Sequence, residues 1–268
     1  MFSWVPRLRG AHGNIHREAT ATSGNISREA TATSGNISRE ATTARGNIFD
    51  EATRTVGRLI NLSVRSTAGA GDGTLIVGFS LTGTAQKSLL VRAVGPTLEA
   101  FNVLGRIADP TLALLSGPTL LSANDNWGGG ATLANAFASV GAFALPAASL
   151  DAAIFTSLAG GGYTAQVSSS SGGTGVALVE LYDAGGGAST LLTNLSARSF
   201  VGTGADILIV GFTVVDGPIK LLIRGVGPTL SAFGVGGVLF DPQLKAVSYT
   251  HLRAHETKAN LVCRLLLE

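Results

Sequence analysis

The decapeptide LLVRAVGPTL at residues 89–98 recurs with two changes as LLIRGVGPTL at residues 221–230. In each copy a mostly apolar run leads into Gly-Pro, which is typical of a buried strand that stops at a turn. Two further segments recur at a similar spacing: NLSVR at 61–65 with NLSAR at 194–198, and LIVGF at 75–79 with LIVGF at 208–212. The sequence therefore predicts a module over residues 58–189 and a shorter second copy over residues 190–247.

Short apolar runs separated by Gly, Pro, Asn and Asp predict that the module is built from β-strands. Helical turns are expected near 98–101 and 133–140. Short strands at this spacing predict an all-β fold of the β-sandwich or jelly-roll type. The predicted strands are residues 58–65, 74–82, 87–94, 111–116, 119–123, 152–158, 162–169 and 175–183.

The second copy contains no counterpart of the closing segment Tyr163 to Asp183. We therefore expect Leu208–Phe212 and Leu221–Val226 to lack part of their sandwich partner. Their apolar faces and a strand edge would then be open to water or to another chain. On this interpretation residues 58–189 fold by themselves, and the shorter copy is truncated.

Residues 1–57 contain a tandem repeat with a period of 11 residues, whose units begin at Gly13, Gly24, Gly35 and Gly46. The first three units each hold one large apolar side chain, an Ile, among several Ser and Thr. One such side chain per unit cannot bury a core, so this low-complexity region is predicted to be disordered.

The composition changes abruptly in residues 248–268, which hold His251, His255 and the only cysteine, Cys263. The run SYTHLRAHET followed by NLVCRLLLE resembles translated sequencing-adapter read-through. The resemblance implies a non-native tail, in which these three residues have no biological role.

Charge and composition exclude several classes of function. Only 13% of the residues are charged, and residues 58–247 carry nine basic and ten acidic groups, so they offer no basic field for nucleic acid. They contain no His or Cys, which excludes Ser-His-Asp and Cys-His catalysis and a zinc site of those ligands. No apolar segment follows Arg7 and Arg9, so no signal peptide is predicted. The longest apolar-leaning run without charge, residues 126–150, is interrupted by several Gly and by Pro146, so no membrane span is predicted. We expect a protein that is not an enzyme and that holds no cofactor.

The loop Asn124-Asp125-Asn126-Trp127 is the most site-like segment. Its side-chain oxygens could bind Ca²⁺, and its Trp could stack on a carbohydrate. Alternatively, the loop is an Asx-turn in which Trp127 caps the edge of the sandwich. Paired carboxylates of a hydrolase are a further alternative, and the candidates Asp125, Asp151, Glu180 and Asp183 show no spacing that singles out a pair.

Arg92 and Arg224 lie at matched positions inside apolar runs, and Asp109 and Asp241 recur in matched Asp-Pro turns. A buried guanidinium needs a partner, so a structural Arg–Asp ion pair is predicted in each copy. An Arg with a solvated head group, or one that binds a ligand, is the alternative.

Three motifs resemble repeat modules of large secreted bacterial proteins, mostly uncharacterised: the strand and turn at 89–98, the loop at 124–127, and YTAQVSSSSGGTGVALVELYD at 163–183. The resemblance implies an extracellular or cell-surface β-sandwich, with neighbouring modules and surface glycans as partners. The expected function is that of a non-catalytic structural or adhesive module. The alternative is a carbohydrate- or Ca²⁺-binding accessory module of a secreted enzyme.

Overall fold

A computed structural model describes residues 57–186, 189–204, 206–249 and 261–267. The predictions for residues 1–56, and those for His251 and His255, lie outside this part of the chain. Within the described residues, one α-helix, α1, spans Ala131–Ser139, and 3-10 segments span Gly71–Gly73, Pro96–Phe101 and Pro228–Phe233. The strands are β1 (Arg58–Ala68), β2 (Leu75–Gly83), β3 (Lys87–Val94), β4 (Pro110–Ser116), β5 (Thr119–Asn124), β6 (Ala152–Leu158), β7 (Gly161–Ser169), β8 (Gly175–Asp183), β9 (Thr190–Arg198), β10 (Leu208–Val215), β11 (Leu244–Tyr249) and β12 (Leu261–Leu267).

The structure confirms the all-β fold class, and each of the eight predicted strands is present with its ends shifted by at most a few residues. The helical turns predicted near 98–101 and 133–140 are also present, as Pro96–Phe101 and α1. These elements were predictable because each apolar run is bounded by residues that favour turns.

The strands form two antiparallel sheets. One has the order β6-β3-β8-β1-β10-β12-β11, and the other has the order β9-β2-β7-β4-β5. A single pair, Leu59 with Leu192, joins them. Alternate residues of β2, namely Leu75, Val77 and Phe79, are buried in the main core, as expected of a strand with one face inward.

A second, smaller core lies on the other face of β3 and β6, where it is covered by α1 and the loop before it. It contains Leu90, Val94, Trp127 and Phe137. Strand β3 is thus buried on both faces, as its continuous apolar run predicts.

The first two strands of the second copy are incorporated into the sandwich. Strand β9 pairs with β2, and β10 pairs with β1 and β12. Leu208 and Phe212 are buried in the main core. The expectation that Leu208–Phe212 lacks a partner is therefore wrong, because the strands of the first copy supply it.

The continuation of the second copy fits the expectation better. Residues 219–226 form no strand, and Leu221, Leu222 and Val226 are exposed, Leu222 at 77%. The described residues from 57 onward nevertheless form one compact unit. In the parts of this unit that the structure describes, no helix has the length and apolar character needed to cross a membrane.

Candidate functional site

The guanidinium of Arg92 lies in the interior, where the side chain is 0% exposed. Its Nε donates to Glu180 Oε2 at 2.9 Å, Nη2 donates to the same oxygen, and Nη1 donates to the carbonyl of Phe143 at 2.6 Å. The aromatic rings of Phe137, Phe143 and Tyr182 have centroids 4.9, 4.3 and 5.8 Å from its Cζ. The charge is therefore compensated by one carboxylate, one carbonyl and three ring faces.

Strand register brings these groups together. Arg92 on β3 lies directly opposite Glu180 on β8, and Tyr182 follows two residues later on the same face of β8. The Tyr182 hydroxyl donates to Glu180 Oε1 at 2.7 Å. Burial, and then the charge of Glu180, raise the pKa of Tyr182 above its ordinary value. We call Arg92, Glu180 and Tyr182, with the rings of Phe137 and Phe143, the buried arginine cluster.

The predicted ion pair between Arg92 and Asp109 is wrong, because Glu180 occupies the position beside the guanidinium. Asp109 precedes β4 in the other sheet, where its Oδ1 is buried and has no hydrogen-bond partner among the described residues. Arg224 and Asp241 are exposed, and no ion pair joins them in the described part of the chain.

Asp151 forms a second closed polar arrangement, at the turn after β3. Its Oδ1 accepts from the backbone N–H of Gly95 at 2.7 Å, and its Oδ2 accepts from the Thr97 hydroxyl. Asp151 is fully buried. Its role follows from a contact across more than fifty residues, which the sequence does not signal.

Asp183 is the third buried carboxylate. It accepts from Lys87 Nζ at 2.9 Å and from Arg58 Nη1 at 3.2 Å. Of the four carboxylates predicted as hydrolase candidates, Asp151, Glu180 and Asp183 are therefore each bound to protein groups, and Asp125 is exposed.

The loop at residues 124–127 packs against the protein. The Asn124 carboxamide accepts from the backbone N–H of Ala153 at 2.9 Å and donates to the Asn126 carbonyl at 3.0 Å. The Trp127 indole, 7% exposed, donates to the Pro146 carbonyl at 2.9 Å and lies against Phe137. This geometry is not an Asx-turn, because the Asn124 oxygen accepts from Ala153 and not from the backbone N–H of Asn126. The burial of Trp127 fits the interpretation in which it caps the edge of the sandwich, and it leaves Trp127 without an exposed face for a sugar.

An open depression of about 240 Å³ lies beside this loop, between β5, β6 and the start of α1. Asn124, Leu133 and Phe155 contribute to its lining. It is smaller than the cavities of about 300–1,000 Å³ that hold small molecules in proteins. Among the described residues, no three His, Cys, Asp or Glu side chains are grouped so that they could hold a metal ion.

The three polar arrangements of the first copy thus contain residues that the sequence singles out, Arg92 and the carboxylates, but Arg92 pairs with Glu180 and not with Asp109. The sequence gives only a weak indication that Glu180 is the partner of Arg92, since Glu180 is a single acidic residue within the apolar run GVALVELY at 175–182. Comparison of the chain with protein-family models, with curated proteins and with solved structures finds no match.

Proposed function

We propose that this chain is a non-catalytic structural or adhesive repeat module of an exported bacterial protein. One observation carries the proposal: the buried charged groups of Arg92, Asp151 and Asp183 are each bound to protein groups that hold the strands and loops of one sheet together. Arg92 is bound to Glu180, Asp151 to the Gly95 turn, and Asp183 to Lys87.

The position of these contacts supports a mechanical role. The buried arginine cluster links β3 and β8 within one sheet to the loop around Phe143 that covers it. Asp151 ties the start of β6 to the turn that follows β3. Each contact joins segments more than fifty residues apart, so together they oppose separation of β3 from β8 and of the covering loop from this sheet.

The proposed location outside the cell is supported by three sequence motifs. The motifs at 89–98, 124–127 and 163–183 resemble modules of large secreted bacterial proteins. A low content of charge and a high content of Gly and β-strand suit a module that is repeated along a long chain.

The test is mechanical extension of the full chain between handles attached at its two ends. A structural module is expected to unfold in one abrupt step that includes both copies, since β9 and β10 complete the sheets of the first copy. Arg92→Met should lower the unfolding force, and the matched variant Arg224→Met should not. Gradual elongation without a step would contradict a structural role, and saturable binding of a soluble glycan would favour an accessory binding module instead.

A further inference from the structure

The two copies pair with each other in a symmetric way. Strand β1 corresponds in sequence to β9, and β2 corresponds to β10, at an offset of 133 residues. Leu62 faces Phe212 across one pairing, and the corresponding residues Leu195 and Phe79 face each other across the other. All seven residue pairs between β1 and β10 recur between β9 and β2.

The irregularities recur as well. The register of β1 skips Ile60 against β10, and the register of β9 skips Thr193, the corresponding residue, against β2. A bulge at the same position of both pairings shows that the correspondence extends to the backbone.

Two contacts mark the axis of this symmetry. Ser66 Oγ donates to Oγ of Ser199, its own counterpart, at 2.8 Å. Ser199 Oγ donates to the Thr67 carbonyl at 2.9 Å, and Ser66 Oγ lies 3.2 Å from the matched carbonyl of Phe200. At the other end, Leu59 faces its counterpart Leu192. Corresponding residues contact one another only where a twofold axis passes between them.

The side chains on the two sides are also nearly the same. The run LIVGF is identical in β2 and β10, and NLS is identical in β1 and β9. Among the facing apolar residues, Ala197 stands where the first copy has Val64, and Val214 stands where it has Leu81. The surface that β1 and β2 present to the second copy therefore has the shape and chemistry to accept another β1 and β2.

We propose that the paired edges of β1 and β2, residues 58–83, are a self-complementary docking surface whose partner is a second copy of this chain. In one chain the surface is filled by β9 and β10, because the short connection at 184–189 gives them a high effective concentration. When that pairing is prevented, β1 and β2 bind the matched strands of another chain in the same register. This inference goes beyond the proposed structural role and holds whatever the module binds.

The experiment prevents pairing within the chain without altering any strand. Deleting residues 186–188 shortens the connection between β8 and β9 by up to about 10 Å. The reporter is a disulfide from Gly78→Cys and Ser196→Cys in a Cys263→Ser background. A Cβ at Gly78 lies 4.0 Å from the Ser196 Cβ, which suits a disulfide.

With the natural connection, the reporter disulfide is expected to form within one chain, which sediments as a monomer at micromolar concentration. With the deletion, the disulfide is expected to join two chains, and the sedimenting mass doubles. The matched control replaces residues 186–188 by three serines and is expected to remain a monomer.

A second variant covers the case in which the deletion blocks folding. Leu195→Asp with Phe212→Asp disables the second copy, so β1 and β2 of two chains are expected to pair with each other. Ser63→Cys and Gly78→Cys, which do not face each other in one chain, should then form a disulfide between chains. If neither variant gives a disulfide-linked dimer, whether the chains are folded monomers or unfolded, the proposal is wrong.

Discussion

Residues 89–94 form part of β3, whereas the matched residues 221–226 form no strand, although the two segments differ at only two positions. The turns that follow them are alike. Pro96–Phe101 and Pro228–Phe233 are both 3-10 turns, and each ends in a left-handed residue, Asn102 at φ 57° or Gly234 at φ 74°. One sequence therefore gives the same turn twice and the strand only once.

The turn recurs because its causes lie close by in the chain. In both copies the turn begins at a glycine, Gly95 or Gly227, where an added Cβ would overlap the backbone of Ile107 or Leu239, the matched residues. Proline at the first helical position fixes φ, and the left-handed end closes the turn. Each cause lies within about a dozen residues.

The strand needs partners that lie far away. β3 is held between β6 and β8, which begin more than fifty residues later. Residues 221–226 have no such neighbours among the described residues, and their leucines remain exposed. Because an isolated strand leaves its backbone groups unpaired, apolar character alone does not produce one.

The largest effect is expected at the two matched arginines. Arg92→Met leaves the Glu180 carboxylate buried without its cation, and should lower the free energy of unfolding by about 3–5 kcal/mol. Arg224→Met, at an exposed position, should change it by less than about 0.5 kcal/mol. Replacing both members of the pair, Arg92→Met with Glu180→Leu, should recover most of the loss. Urea denaturation of the full chain measures all three, and equal losses at Arg92 and Arg224 would contradict the comparison.

Asp151 gives a second, smaller difference between the copies. The turn at Pro96–Phe101 is tied to this carboxylate, whereas no carboxylate binds the turn at Pro228–Phe233 in the described structure. Asp151→Ala should therefore lower stability by about 2–3 kcal/mol while the turn persists.

Denaturation measures the loss of stability, and hydrogen exchange of the Leu98 amide, which donates to the Gly95 carbonyl at 3.0 Å, follows the turn. Asp125→Ala is the matched control at an exposed carboxylate. Loss of protection at Leu98 under native conditions would show that the turn depends on Asp151 after all.

The burial of Tyr182 predicts that the free energy of unfolding depends on pH. The second copy has no counterpart of this residue, because it lacks the closing segment 163–183. The pKa of Tyr182 is raised by burial and by Glu180, so above about pH 10 the unfolded chain loses a proton that the folded chain retains. Stability should fall as the pH rises past this point, and below it Tyr182 contributes no pH dependence. Tyr182→Phe should reduce the slope of unfolding free energy against pH. Identical slopes for the two proteins, measured between about pH 9 and 11, would contradict the burial of this hydroxyl.

The smallest effect is expected from chelation. Both polar atoms of the Asn124 carboxamide are hydrogen-bonded within the protein. Its oxygen accepts from the Ala153 backbone N–H, and its nitrogen donates to the Asn126 carbonyl. EDTA should therefore leave the melting temperature of the full chain unchanged, as it should for an Asp125→Ala variant. A fall in the melting temperature that added Ca²⁺ reverses would restore the calcium interpretation of residues 124–127.

The positions of the first eight strands, the all-β class and both Gly-Pro turns were determined by the sequence alone. They follow from short apolar runs bounded by Gly, Pro, Asn and Asp, and from glycines at places where a side chain does not fit. The continuous run of β3 also predicted burial on both faces. These features depend on neighbours within one strand or one turn, so local pattern suffices.

The tertiary structure alone decided which groups meet. It placed Glu180 opposite Arg92 through the register of β3 and β8, and it left Asp109 in the other sheet. It also joined β9 to β2 and β10 to β1, where the sequence had suggested exposed edges. The reason is physical: strand pairing and charge compensation are settled by residues that are distant in the chain, and only the closed sandwich brings them within hydrogen-bonding distance.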